Sequence, residues 1–171
     1  TKYIFSQDHK IIGLQYGITS LFFLLFGFSL MIVMRYQMVH SGTITPDTYN
    51  SFGAMHGTIM VFLGVVPIVV GAFGNYFVPL QIGAPDMAFP KLNMASYQAY
   101  FLGGIFMLAG FFLPGGAASS GWTSYPPLAD IATTGQTVWL LGMIFLITSS
   151  LLGSINIITT IVQLRAEGLT W

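Results

Sequence analysis

Charge-free runs divide the chain. Ile11–Met34 holds 24 residues without an Asp, Glu, Lys or Arg, more than the ~20 that carry a helix across a ~30 Å hydrocarbon core. A second run lies between Asp47 and Asp86. It predicts a helix over 51–78 closed by Pro79, because proline lacks a backbone donor and crowds the preceding turn. A third run covers about 94–113 and stops at Pro114-Gly115-Gly116; a fourth covers about 135–164. The pattern predicts an all-α integral membrane chain with four transmembrane helices in a single domain over 1–171.

Composition agrees with that reading. Hydrophobic residues make up 54% and charged residues 6%, where soluble domains carry roughly 25% charged residues. The net charge of zero gives no footing for nucleic acid. There is no cysteine, which excludes disulfides, thiolate metal sites and iron–sulfur ligation. Lys2, Lys10, Lys91 and Arg165 fall on one side of the four spans and Arg35 alone on the other. The positive-inside rule then places both termini on the cytoplasmic or matrix side. The chain opens on Thr1 without a signal pattern and closes on RAEGLTW, which reads as a piece of something longer or as a subunit of an assembly.

Polar residues inside the apolar runs carry the candidate chemistry. FGAMHGTIMVF (52–62) puts His56 within a helix that otherwise suits lipid. An imidazole there is a hydrogen-bonded packing group, a proton relay or a metal ligand. No second His follows at the third or fourth position, which disfavours a bare zinc or copper site on this helix; His9 and His40 lie in terminal or loop stretches. Gly57, Gly64 and Gly71 recur every seven residues, a stripe that suits either close helix packing or a flat macrocycle beside the histidine. Arg35 ends the first helix as an interfacial cation, or as a guanidinium serving a cofactor substituent. Asn75, Asp86 and Asn93 cluster near the second-to-third helix turn, and Ser149, Ser150 and Asn156 lie on the fourth helix. Such amides and hydroxyls either glue helices together or order a water file with a carboxylate at its mouth; spacing alone leaves both open. The loop Ser119–Ala129, rich in Trp, Tyr and Pro, suits an interfacial aromatic anchor.

Five strings in order, FSQDHKIIG, MHGTIMVF, GNYFVPLQIGAPDMAFPKLN, GWTSYPPLA and SSLLGSINIITTI, together resemble subunit I of the haem–copper oxidases in its cytochrome c oxidase branch. The resemblance spans essentially the whole chain and implies the first four helices of a twelve-helix bundle around two haems and a copper. It implies that His56 is an axial ligand of the low-spin haem (haem a), that Arg35 hydrogen-bonds that haem's formyl group, and that Tyr49 lies near its tail. Gly57 then leaves room beside the ring. Trp122 matches a residue beside the high-spin haem's propionates, and Tyr125 shares its loop. Asp86 matches the entrance carboxylate of the D proton pathway, Asn75 and Asn93 its neighbouring amides, and Ser149, Ser150 and Asn156 its upper polar residues.

The sequence also departs from that family's pattern. Gln37 stands where many relatives have a Glu that helps bind a structural Ca²⁺ or Na⁺, which puts that cation site in doubt. Lys91 stands for an Arg, and Ser154 for a small Gly or Ala inside the pathway segment. The resemblance places the second low-spin haem ligand, the high-spin haem ligand, the copper-binding histidines, the internal Glu and the K-pathway Lys on later helices, outside this chain. It implies O₂ reduction coupled to proton pumping only in an assembly with the rest of subunit I and subunits II and III, fed by cytochrome c. A quinol donor is the near alternative. A cofactor-free transporter or structural subunit is the rival from another class. The membrane is the plasma membrane of a bacterium or archaeon, or the mitochondrial inner membrane.

Overall fold

The computed structural model describes residues 3–170. Thr1, Lys2 (one of the cations counted for orientation) and Trp171 lie outside the described residues. Among the described residues four helices are long and apolar enough to cross a membrane: α1 (His9–Val39), α2 (Pro46–Ile82), α3 (Pro90–Phe112) and α5 (Thr134–Gln163). The short α4 (Leu128–Ile131) interrupts the connection between α3 and α5. The described residues are all-α.

Local chemistry sets the helix ends. The Asp8 carboxylate accepts from the Lys10 and Ile11 amides at 2.9 and 3.1 Å, capping two otherwise unpaired donors of α1. Thr45 does the same for Thr48, and Pro46 takes the first helical position, where a missing N–H costs nothing. Two expected ends move. The helix carrying Arg35 continues to Val39, so Arg35 does not end it. Pro79 lies inside α2, and the stop falls at Gly83, whose φ of 70° suits a residue without Cβ.

Between Thr58 and Asn75 helix α2 is α-helical only at Val66. Ile59–Val65 and Pro67–Gly74 are π-helical, with α-helix resuming at Asn75. Proline at 67 accounts for the widening: its ring would crowd the Leu63 carbonyl four residues back, and a wider turn relieves that contact.

Neighbouring helices run antiparallel and pack through small residues. A Cβ on Gly103 of α3 would sit 3.0 Å from the Gly142 carbonyl of α5, and one on Gly142 3.2 Å from the Gly103 carbonyl. These two backbones approach as closely as side-chain-free positions permit. The buried core runs through Tyr16, Phe23, Leu63, Tyr100, Met107 and Leu146. Leu14, Ile18, Leu25, Ile144, Ile147 and Ile158 point outward and are exposed, as surfaces meant for lipid or further helices do. At one end the Ala166 amide donates to Ile82 O at 2.9 Å, which ties the segment after α5 to the end of α2.

Candidate functional site

His56 lies ten residues into α2, facing α1. Its Nδ1 is 2.8 Å from the Gly27 carbonyl oxygen. A carbonyl can only accept, so Nδ1 carries the proton and Nε2 is left with its lone pair. Gly27 permits this approach: a Cβ there would meet Met60 Sδ at 3.0 Å and Ile59 Cγ2 at 3.2 Å. The histidine is half-buried. A ring fixed by one backbone bond, with its other nitrogen open, is the usual state of a histidine that ligates a metal. This donor fits an axial ligand of a haem. His9 and His40 are engaged elsewhere: His9 Nδ1 donates to Asn75 O at 2.8 Å, and His40 stacks on Tyr36 with ring centroids 4.5 Å apart.

The glycine stripe divides. A Cβ on Gly64 would lie 2.5 Å from Leu24, and one on Gly71 2.5 Å from Tyr16, both of α1. These two glycines serve helix packing and are closed to a macrocycle. Gly57 faces another way, its nearest neighbour being Trp122 Cδ1 at 3.9 Å from a hypothetical Cβ. The π-helical turns that follow it change the angle per residue, so a seven-residue repeat no longer marks one face.

Around this end the other expected residues scatter. Trp122 is 57% exposed but packs against Phe62, ring centroids 6.0 Å apart. Tyr125, 73% exposed, stands apart in the same loop. Arg35 is exposed, about two turns along α1 beyond Gly27. Tyr49 is half-buried and lines a hollow with Asp47, Asn50 and Ser119. Gln37 Oε1 accepts from the Ile44 amide at 3.0 Å, so a neutral side chain holds the turn after α1.

The second centre is a groove of about 420 Å³ between α1, α2, α3 and α5, lined by Tyr16, Asn75, Ser96, Ser149, Ser150 and Ser154 among apolar residues. Ser96 and Ser149 exchange bonds across α3 and α5: Ser96 Oγ donates to Ser149 O at 2.8 Å, and Ser149 Oγ to Ser96 O at 2.7 Å. With both serine protons committed, the Tyr16 hydroxyl, 2.8 Å from Ser96 Oγ and 3.1 Å from Ser149 Oγ, is the donor here and shares its single proton between them. Asn75 Nδ2 donates to Gly71 O at 2.6 Å, while its buried Oδ1 has no partner within the protein. Buried amide oxygens in this state are seats for ordered water.

Asp86, Asn93 and Asn156 lie outside that lining. Asp86 is half-buried and accepts from the Met87 amide at 2.6 Å. Asn93 is 1% exposed, and neither end of its amide meets a protein partner. Asn156 is fully engaged on the connection between α2 and α3: Oδ1 accepts from Phe89 N at 2.9 Å, and Nδ2 donates to Phe89 O at 3.3 Å. Thr160 accepts from Ala88 N at 2.9 Å beside it. Lys91 is exposed at the start of α3. Sequence reasoning missed Gly27, Tyr16, Ser96 and Thr160. A signal existed for two of them, since Ser96 sits three residues after Asn93 and Tyr16 four before Ser20, on shared helix faces.

Four helices able to span a membrane, with an oriented imidazole and a buried polar groove between them, define an integral membrane protein. Residues 11–171 match the family model described as Cytochrome C and Quinol oxidase polypeptide I, and the chain belongs to that family. It is 46% identical to cytochrome c oxidase subunit 1 of Thermostichus vulcanus over 172 residues, which covers 99% of this chain and 31% of that protein. It is 42% identical to cytochrome c oxidase subunit 1 of Synechocystis over 168 residues (96% of this chain, 30% of that protein). With the probable cytochrome c oxidase subunit 1-alpha of Streptomyces avermitilis it shares 40% over 174 residues (99% and 30%). The chain spans about 30% of the length of the curated relatives it matches.

Proposed function

We propose that this chain forms the N-terminal part of the catalytic subunit of a terminal respiratory oxidase, one that couples electron transfer from cytochrome c to O₂ reduction and proton pumping. Family membership supports the class, and the relatives' names favour cytochrome c over quinol as donor. The observation that carries the site assignment is the His56–Gly27 bond, which fixes the ring by Nδ1 and leaves Nε2 as the atom that would hold a low-spin haem. When bound, that haem supplies one-electron transfer. Arg35 and Tyr49 serve its formyl and tail ends, Gly57 keeps the flank beside the imidazole narrow, and Trp122 with Tyr125 faces the propionates of a second, high-spin haem.

Asp86 collects protons at the mouth of the pathway, where it is half-buried and retains solvent. The unpartnered amides of Asn75 and Asn93 hold the first waters. Tyr16, Ser96, Ser149 and Ser150 form the wall along which the file continues. Asn156 acts by fixing the Phe89 backbone and hence the loop that carries Asp86. The rest of subunit I and subunits II and III complete the copper and haem ligation, and both termini face the side from which protons are taken. The test is the dithionite-reduced spectrum of the assembled enzyme. His56→Ala is expected to remove the low-spin haem band, and a retained band reassigns the ligand.

A further inference from the structure

Helix α2 contains two prolines beyond its first turn, and each meets the same remedy. Pro67 has no N–H to offer, and in the wide register around it that leaves Phe62 O, five residues back, without its donor; the next carbonyl, Leu63 O, receives the Tyr100 hydroxyl of α3 at 2.7 Å. Pro79 likewise cannot donate to Asn75 O, which receives His9 Nδ1–H of α1 at 2.8 Å. By contrast Pro46 and Pro90 stand at first helical positions, where an α-helix asks for no such bond. Tyr100 is 2% exposed and His9 2% exposed, and in a dry interior a carbonyl short of a donor is costly. Ser20 Oγ lies 3.1 Å from the Tyr100 hydroxyl but gives its own proton to Tyr16 O at 2.6 Å, so the Tyr100 proton is left for Leu63.

The placement matters because the π-helical stretch 59–74 separates His56 from Asn75. Every extra degree of winding there rotates one relative to the other. We propose that Tyr100 and His9 are positioning residues that pin the two proline joints of α2, with Tyr100 at the joint setting the register between the oriented imidazole and the polar groove. The effect on haem and proton uptake rests on the function proposed above; the hydrogen bonds themselves do not.

The test uses the assembled enzyme with its full-length subunit. Tyr100→Phe keeps the ring and removes only the hydroxyl. Deuterium exchange across 59–74 is expected to quicken about fivefold, the factor one lost hydrogen bond gives. Pro67→Ala restores an N–H at the joint, so Y100F in that background is expected to exchange near the parent rate. The low-spin haem band is expected to shift in Y100F and to return in the double variant. The inner joint repeats the logic: His9→Leu quickens exchange across 75–82, and Pro79→Ala offsets it. Unchanged exchange in Y100F, or an equal rise with and without Pro67, overturns the proposal. A rise with rescue but no movement of the haem band or proton uptake overturns the positioning role. Should Y100F not assemble, recovery of assembly by P67A supports the latch and no recovery overturns it. A parent enzyme without a haem band would refute the function proposed above, while the exchange experiment still reads the joints.

Discussion

His56 and Asn93 are both polar groups sunk in apolar helices, and they are treated in opposite ways. His56 has one nitrogen fixed by a backbone oxygen and one left open, which aims a single lone pair in one direction. Asn93 is more deeply buried, yet both ends of its amide are open. The ligand role proposed for His56 needs orientation, and a carbonyl 29 residues away in sequence provides it. A seat for exchanging water needs unsatisfied valence, and a rigid partner would defeat it. The surroundings of His56 are therefore built by backbone, and those of Asn93 by a side chain with capacity to spare.

Four experiments press on that contrast. The largest effect is expected from His56→Ala, with complete loss of the low-spin haem band while the polar groove, whose lining does not include His56, stays folded. Next comes Asp86→Asn, which removes the titrating group at the mouth. Proton uptake and turnover are expected to fall by roughly tenfold or more with haem content intact, measured as proton uptake by the reconstituted enzyme. An enzyme with unchanged uptake would make Asp86 a surface residue. Gly103→Ala tests the seam beneath the groove. The new methyl would lie 2.8 Å from Leu146 Cδ2 and 3.0 Å from the Gly142 carbonyl. Overpacking of this kind costs about 1–3 kcal/mol, read as a lower thermal midpoint with no shift of the haem band. The smallest effect belongs to the serine exchange. Ser96→Ala and Ser149→Ala each delete one bond to the other helix's backbone and are each expected to cost about 0.6 kcal/mol, the usual worth of a polar contact between membrane helices, read as a lower thermal midpoint. A cost near zero in both would leave Tyr16 as the side chain organising that wall.

Much of the fold was legible because charge is so sparse that its gaps outline the spans. What escaped was local winding and distant partnership. The repeat of Gly57, Gly64 and Gly71 presumed 100° per residue, and the wide turns after Thr58 broke the presumption. Pro79 looked like a stop because its effect was judged within its own helix, without the donor that His9 brings across. His56 drew notice by its type alone, but Gly27, which orients it, has no side chain to draw notice. Tyr16 reads as one more aromatic until α3 and α5, 80 and 133 residues onward, deliver Ser96 and Ser149 to its hydroxyl.

The grip of α5 on the turn between α2 and α3 bears on the order in which the protein takes shape. Ala88 and Phe89 owe their side-chain bonds to Thr160 and Asn156, 72 and 67 residues later in the chain. Until the fourth span has entered the bilayer, nothing holds that turn by those two amides. Asp86, two residues before Ala88, therefore reaches its final place late in biogenesis. In that sense the turn that carries Asp86 stays unset while the first three spans are inserted, and it closes into shape only when the fourth arrives.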